Sequence, residues 1–98
     1  MKLVVQPEAE ADIVNAAIWY DDQSRSIRQK FLDHVENALH VIEQHPHRYQ
    51  KIFRQVRRVM VREFPYALLY IASGSEVNVI ACSHCSRDPK RWQKRLRK

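Results

Sequence analysis

The sequence has 98 residues and a net charge of +6, with only one glycine and four prolines. This length fits one domain around a single core, and it excludes an enzyme with separate cofactor and substrate domains. We therefore interpret residues 1–98 as one ordered domain with short connections.

The N-terminal sequence "MKLVVQPEAEADI" is atypical of a secretory signal, because acidic residues follow a short apolar run at once. The chain has no run of about 18 apolar residues, which is the length that spans a bilayer. Two cysteines are too few for a disulfide framework. These observations favour a cytoplasmic protein that has no membrane partner.

The first half of the chain predicts one strand and two helices. "KLVV" is typical of a short buried strand, and Pro7 suits the first turn of a helix that ends near Asp21. Ser24 or Asp22 can cap a second helix, which Pro46 ends. Each helix carries an apolar stripe: Ala9, Ile13, Ala16, Ala17 and Tyr20 on the first, then Phe31, Val35, Ala38 and Ile42 on the second.

The second half predicts three strands, over residues 56–64, 66–72 and 77–83, with Gly74 in a hairpin turn. Two helices joined by a short turn form an antiparallel helical hairpin, and its apolar side needs a second layer. The order β-α-α-β-β-β therefore predicts an α+β fold, in which the hairpin packs on one face of a small, mostly antiparallel sheet.

Alternation along the strands assigns residues to the two faces of this sheet. One set is small or aliphatic and is predicted to pack on the helices: Val59, Val61, Ala67, Leu69, Ile71, Val77, Val79 and Ala81. The other set is predicted to form an open face: Arg58, Met60, Arg62, Phe64, Tyr66, Leu68, Tyr70, Asn78, Ile80, Cys82 and His84. An open face that mixes aliphatic, aromatic and basic side chains is typical of a partner site.

Basic residues are concentrated in the second half of the chain. Residues 1–50 carry five Lys or Arg against eight Asp or Glu, a net charge of −3, whereas residues 51–98 carry twelve against three, a net charge of +9. Such a field attracts nucleic acid or an acidic protein, although basic runs also serve only to solvate a surface.

The stretch "HCSRDPKRW" at residues 84–92 predicts the start of a short terminal helix. Asp88 suits the cap, Pro89 suits the first turn, and Trp92 lies four residues before Leu96 on one side. The other sides would present a cationic rim of Lys90, Arg91, Lys94, Arg95, Arg97 and Lys98.

A zinc site at Cys82 and Cys85 is disfavoured. Residues three apart on one strand point to opposite faces, so the two thiols meet only if the strand ends before Cys85. Two further ligands would also be needed, and His45 with His47 is the other candidate cluster. We therefore expect neither a metal nor a cofactor.

Four segments carry a resemblance to a known family: "EAEADIVNAAIWY", "FLDHVENALHVIEQHPHRY", "REFPYALLY" and "HCSRDPKRW". Together they resemble the ParE and RelE toxins of bacterial type II toxin–antitoxin modules, and the "FPY" and H-x-x-R-D-P-x-x-W patterns resemble the ParE-like branch, also called plasmid stabilisation proteins. The resemblance implies a helical hairpin on a small sheet and a cognate antitoxin. It leaves the target open, because ParE-like toxins poison DNA gyrase without being enzymes, whereas RelE-like toxins cut mRNA on the ribosome.

The favoured interpretation is a gyrase-binding toxin whose cationic rim contacts the target. Its antitoxin would bind Arg58, Met60, Arg62, Leu68, Tyr70 and Ile80. The alternative is a ribosome-dependent mRNA endoribonuclease, in which a histidine exchanges protons near neutral pH and arginines hold the phosphate. That nuclease would use His84, Arg58, Arg62, Arg87 and Tyr70. On the predicted open face of the sheet, Met60, Leu68 and Ile80 suit a hydrophobic partner better than a phosphate backbone. No small-molecule substrate is expected.

Overall fold

The first half of the chain forms a strand and a helical hairpin. The structure is a computed structural model that describes residues 2–97 without the side chain of Arg97. Strand β1 spans Lys2–Val5, helix α1 spans Pro7–Asp21 and helix α2 spans Arg25–Gln44. Ser24 caps α2, because its Oγ accepts a hydrogen bond from the backbone N–H of Ile27 at 3.1 Å. The predicted strand, hairpin and cap are confirmed.

The second half completes a five-stranded mixed sheet. Strands β2 to β5 span Lys51–Phe53, Val56–Met60, Tyr66–Ser73 and Glu76–His84, and they precede helix α3 at Lys90–Gln93 and a 3-10 turn at Lys94–Arg97. The strand order is β1-β5-β4-β3-β2. β1 runs parallel to β5, and the other neighbours are antiparallel. The α+β class and the order of elements are confirmed, whereas β2 was not predicted.

Strand β3 is shorter than predicted because the chain turns before Pro65. Val61 donates its backbone N–H to the carbonyl of Tyr66 at 2.9 Å, and Phe64 donates to the carbonyl of Val61 at 3.2 Å. Glu63, at the tip of this turn, has a φ of 67°. That left-handed conformation ends the extended backbone, so the strand stops at Met60.

An aromatic cluster forms the core between the hairpin and the sheet. The ring of Tyr20 lies 5.1 Å from Phe31 and 4.9 Å from Phe64, measured between centroids, and Phe31 lies 5.4 Å from Tyr66. Most of these contacts are edge-to-face, which aromatic pairs favour. The first turns of α2 are therefore fixed to α1 and to the start of β4.

The predicted face assignment of β4 is wrong. Leu68 and Tyr70 are 0% exposed and pack under the helices, while Ala67 and Leu69 lie on the opposite face. The hydroxyl of Tyr70 donates to the carbonyl of Pro46 at 2.8 Å, so its one polar atom is satisfied in the interior. The large side chains of β4 therefore fill the space under the helices and are not available on an open face.

A bulge in β5 reverses the alternation that the sequence suggests. Tyr70 of β4 pairs with Val79 and Leu69 pairs with Ala81, so Ile80 is an extra residue with no counterpart. Val79 before the bulge packs on the helix side as predicted, but Ala81 after it lies on the opposite face. Cys82 turns toward the helices, which corrects its predicted place on the open face.

The second face of the sheet is largely covered rather than open. Trp92 is 5% exposed and packs with Val56, Ala67, Leu69 and Ala81. Leu96 and Ile80 pack at the margin of this cluster. The terminal helix thus supplies a small third layer, and exposed side chains remain at the margin of this face, among them Arg58, Met60 and Ile52.

Truncation of Trp92 should destabilise the fold far more than truncation of the other tryptophan. We expect Trp92→Ala to lower the free energy of unfolding by about 3 kcal/mol, because it empties the second core cluster. Trp19→Ala is the matched control, since Trp19 is 58% exposed. Chemical denaturation measures both, and equal losses in the two variants would contradict the burial of Trp92.

Candidate functional site: a basic terminal segment beside a histidine-containing groove

The terminal segment, residues 90–97, begins where the sequence predicts. The Oδ1 of Asp88 accepts a hydrogen bond from the backbone N–H of Lys90 at 2.9 Å, which satisfies one of the free donors of this helix start. Lys90, Arg91 and Lys94 are exposed. We call these three residues the exposed rim.

Arg95, which the sequence places in the same rim, instead turns inward, so that prediction is wrong. Its Nη1 lies 2.8 Å from Oδ2 of Asp12, and its Nη2 lies 3.1 Å from Oδ1, a bidentate pair. Nη1 also donates to the carbonyl of Ile80 at 2.8 Å. Hydrogen bonding to Asp12 raises the pKa of Arg95, so the guanidinium stays charged while it binds within the fold.

Two further members of the predicted rim are Arg97 and Lys98. The side chain of Arg97 and the whole of Lys98 lie outside the described residues.

His84 is held at the end of β5 by the turn that follows it. Its Nδ1 accepts the backbone N–H of Ser86 at 3.0 Å, and the Ser86 hydroxyl lies 2.8 Å from the same nitrogen. Since a backbone N–H can only donate, Nδ1 carries no proton, and the neutral ring bears its proton on Nε2. The ring packs edge-on against Tyr66 at 5.1 Å between centroids. The imidazole therefore has one nitrogen engaged in fixing the local backbone.

The structure brings together three of the five residues predicted for a nuclease. Arg58, His84 and Arg87 line one shallow pocket on the far face of the sheet. Arg62 lies in another pocket, between α2 and β3, and Tyr70 lies in the core. The predicted five-residue set does not form a single site.

The tyrosines near this region are poor proton acceptors. Burial raises the pKa of Tyr66, although the charge of Arg87 acts in the opposite direction. Burial also raises the pKa of Tyr20 and that of Tyr70. All three hydroxyls therefore remain protonated at neutral pH, and a tyrosinate base is not available.

The two thiols differ in environment. Cys82 is buried, and burial together with the charge of Asp12 raises its pKa to about 12, so it is an unreactive thiol at neutral pH. Cys85 is exposed. Within residues 2–97, no group of three or more His, Cys, Asp or Glu side chains could hold a metal ion.

The predicted antitoxin-binding residues are divided between surface and core. Arg58, Met60 and Arg62 are exposed, and Ile80 is half-buried. Leu68 and Tyr70 are fully buried beneath the helices, so their predicted surface position is wrong.

The sequence analysis missed an exposed apolar surface on α1. Val14, Ile18 and Trp19 are each about half exposed or more, and Ile27 at the start of α2 is also exposed. The pattern was detectable, because apolar residues occur on every side of α1 and exceed what one buried stripe requires. A second apolar surface on a helix that packs on one side only is typical of a partner contact.

Fold and site together define a small α+β domain of the type found in toxins of toxin–antitoxin modules. A family model for the ParE toxin of the type II toxin–antitoxin system parDE matches residues 3–89. The chain therefore belongs to the ParE toxin family, as its sequence patterns predict.

A solved structure described as the chromosomal ParDE toxin–antitoxin system from P. aeruginosa is similar in fold, with a TM-score of 0.77. The match covers 86% of this chain and 95% of the other, at 15% sequence identity. A search of curated proteins finds no match to this chain. Among the described helices, none combines the length and the apolar character that crossing a bilayer requires.

The inward position of Arg95 predicts a stability difference between neighbouring residues. Arg95→Ala leaves the Asp12 carboxylate and the Ile80 carbonyl without the guanidinium, and we expect a loss of about 1–3 kcal/mol. Lys94→Ala is the matched control, and its exposed side chain should contribute less than about 0.5 kcal/mol. Urea denaturation of both variants measures the difference, and equal stabilities would show that Arg95 belongs to the rim after all.

Proposed function

We propose that this ParE-family toxin acts by binding and poisoning DNA gyrase, and that a cognate antitoxin neutralises it. The observation that carries the proposal is the exposed rim on a segment fixed by Trp92. Lys90, Arg91 and Lys94 are exposed, and none of them has a carboxylate partner among the described ion pairs. A fixed cationic surface suits an acidic protein face, or the DNA that gyrase holds.

Binding explains the site better than catalysis does. RNA cleavage through the 2′-hydroxyl needs a proton acceptor, a proton donor and cations around the phosphate. Nδ1 of His84 is already occupied by Ser86, and Tyr66 stays protonated. Tyr70 and Arg62 lie away from His84. The nuclease chemistry therefore lacks two members of its predicted set.

One observation favours the endoribonuclease as the second candidate. Arg58, His84 and Arg87 share a pocket, and Nε2 of His84 is the nitrogen that Ser86 leaves free. Two guanidinium groups beside an imidazole are a reasonable phosphate site. Substitution of His84 therefore separates the two candidates.

The antitoxin is supported by the exposed apolar surface of α1. Val14, Ile18 and Trp19 would be covered by a partner helix or an extended segment, which buries them from water. The rim lies on the terminal segment, so the contacts that neutralise the toxin and those that reach gyrase involve different elements.

Charge reversal of the rim should abolish gyrase inhibition. We expect Lys90→Glu combined with Lys94→Glu to remove inhibition in a supercoiling assay, because two attractive contacts become repulsive. Arg95 stays unchanged, so the ion pair with Asp12 is kept. Lys2→Glu combined with Arg25→Glu makes the same change in net charge on exposed residues of the first half. Full inhibition by the rim variant, or equal loss in the control, would contradict a rim-specific contact.

Substitution of His84 should leave a binding toxin active. His84→Gln keeps a neutral hydrogen-bonding side chain but cannot exchange protons near neutral pH. We expect growth arrest on induction to persist in this variant, with intact mRNA in the same cells. A catalytic histidine would instead lose roughly 10²-fold or more in mRNA cleavage. In-frame mRNA cuts by the parent, absent in the variant, would favour the endoribonuclease.

A further inference from the structure

Strand β5 is longer than the neighbour that covers its outer edge. β1 pairs with β5 from Glu76 to Val79, and the backbone N–H of Gln6 makes the last contact, to the carbonyl of Val79 at 2.9 Å. The chain then leaves the sheet at Pro7, whereas β5 continues to His84. Within the described part of the chain, no strand therefore lies beside the last part of β5 on this side.

Side chains satisfy the first backbone groups of that uncovered edge. The backbone N–H of Cys82 donates to Oδ2 of Asp12 at 3.0 Å, and the carbonyl of Ile80 accepts from Arg95. The bidentate pair of Asp12 and Arg95 thus occupies the place of a strand for about two residues.

Two more backbone groups on this edge of β5 lie beyond the pair of Asp12 and Arg95. Cys85 donates its backbone N–H to the carbonyl of Pro65 at 2.8 Å. The backbone N–H and C=O groups of odd-numbered residues in this part of β5 therefore point toward β4. By alternation, the carbonyl of Cys82 and the N–H of His84 face outward. Neither group has a backbone partner within residues 2–97. They are placed to pair with one more extended segment.

His84 lines a groove of about 430 Å³ between α1 and the turn after β5, and Cys82 lines a smaller pocket that shares Arg87 with this groove. Trp19, more than half exposed, forms part of its wall, and Tyr66 and Pro65 add apolar surface. Arg87 is exposed at the opposite side. Arg87 has no carboxylate partner among the described ion pairs, and Asp12, which lines a pocket with Arg87, is paired with Arg95. The groove is apolar at one wall and cationic at the other.

We propose that this groove binds an extended, acidic peptide segment that adds to the sheet at the outer edge of β5. The backbone of the segment would donate to the Cys82 carbonyl and accept from the His84 N–H. A carboxylate of the segment would pair with Arg87, and an apolar side chain would pack against Trp19. The inference rests on the proposed function, because the antitoxin is the partner whose segment the groove would hold.

The backbone pattern distinguishes a peptide from a nucleic acid strand. A peptide supplies a donor for the Cys82 carbonyl and an acceptor for the His84 N–H at the spacing of one strand residue. A phosphodiester group offers acceptors only, so the Cys82 carbonyl would stay unpaired on DNA and would depend on a ribose 2′-hydroxyl on RNA. The mixture of one open acceptor and one open donor therefore favours a polypeptide.

Selection from a displayed library of random short peptides tests the inference with the whole chain as target. We expect enriched peptides to carry acidic and apolar residues. Their affinity should fall at least about tenfold in Trp19→Ala and in Arg87→Glu, the size expected for a central contact. Ile52→Ala and Lys51→Glu are matched controls, because both residues are exposed on β2 at the opposite edge of the sheet and should keep full affinity.

N-methylation of successive residues in an enriched peptide tests strand addition itself. Loss of affinity is expected at one position and not at the two positions beside it, because one peptide N–H would face the Cys82 carbonyl while the adjacent N–H groups of the strand face away. Enriched peptides without acidic residues, equal binding by the groove variants and the controls, or equal affinity after methylation at every position would each overturn the inference. Growth arrest and its neutralisation by the antitoxin are measured separately, so a failed toxin assignment is distinguishable from a failed groove assignment.

Discussion

The ion pair between Asp12 and Arg95 joins the parts of the molecule on which the site depends. Asp12 lies on α1, Arg95 lies in the terminal segment, and both bind the backbone of β5 next to its bulge. Each side chain is about one fifth exposed, so water screens the pair less than it would at the surface. One contact thus fixes the helical hairpin, the end of the sheet and the basic segment relative to each other.

This pair also explains how β5 can extend past β1. An uncovered strand edge invites pairing with another chain, and proteins commonly block such edges with charged side chains. Here the carboxylate accepts from the Cys82 N–H and the guanidinium donates to the Ile80 carbonyl, which leaves the Cys82 carbonyl and the His84 N–H open. The groove lies beside Trp19 and Arg87 because the edge of β5 is open at this position.

The helices and the order of the elements were predictable from the sequence, because the apolar residues of each helix recur with a single helical period. Phe31, Val35, Ala38 and Ile42 recur with the helical repeat, and all four are buried. The faces of β4 and the end of β5 were not predictable in the same way. A single extra residue, Ile80, reverses the alternation, and no glycine or proline marks that position. On β4 both faces are buried, so its continuous apolar run contains no polar residue that would identify an outer side.

The basic terminal segment shows why residue type alone could not assign the site. In "KRWQKRLRK" every Lys and Arg satisfies the same pattern, yet among the described side chains of this segment only that of Arg95 meets a carboxylate held by another element. Arginine suits this place because its planar fork binds both oxygens of Asp12 and still reaches the Ile80 carbonyl, which the single ammonium of lysine does less well. Arg95 and Trp92 orient the segment, so the side chains of Lys90, Arg91 and Lys94 remain exposed. Arg95 is thus a structural cation, whereas Lys90, Arg91 and Lys94 are available to a partner.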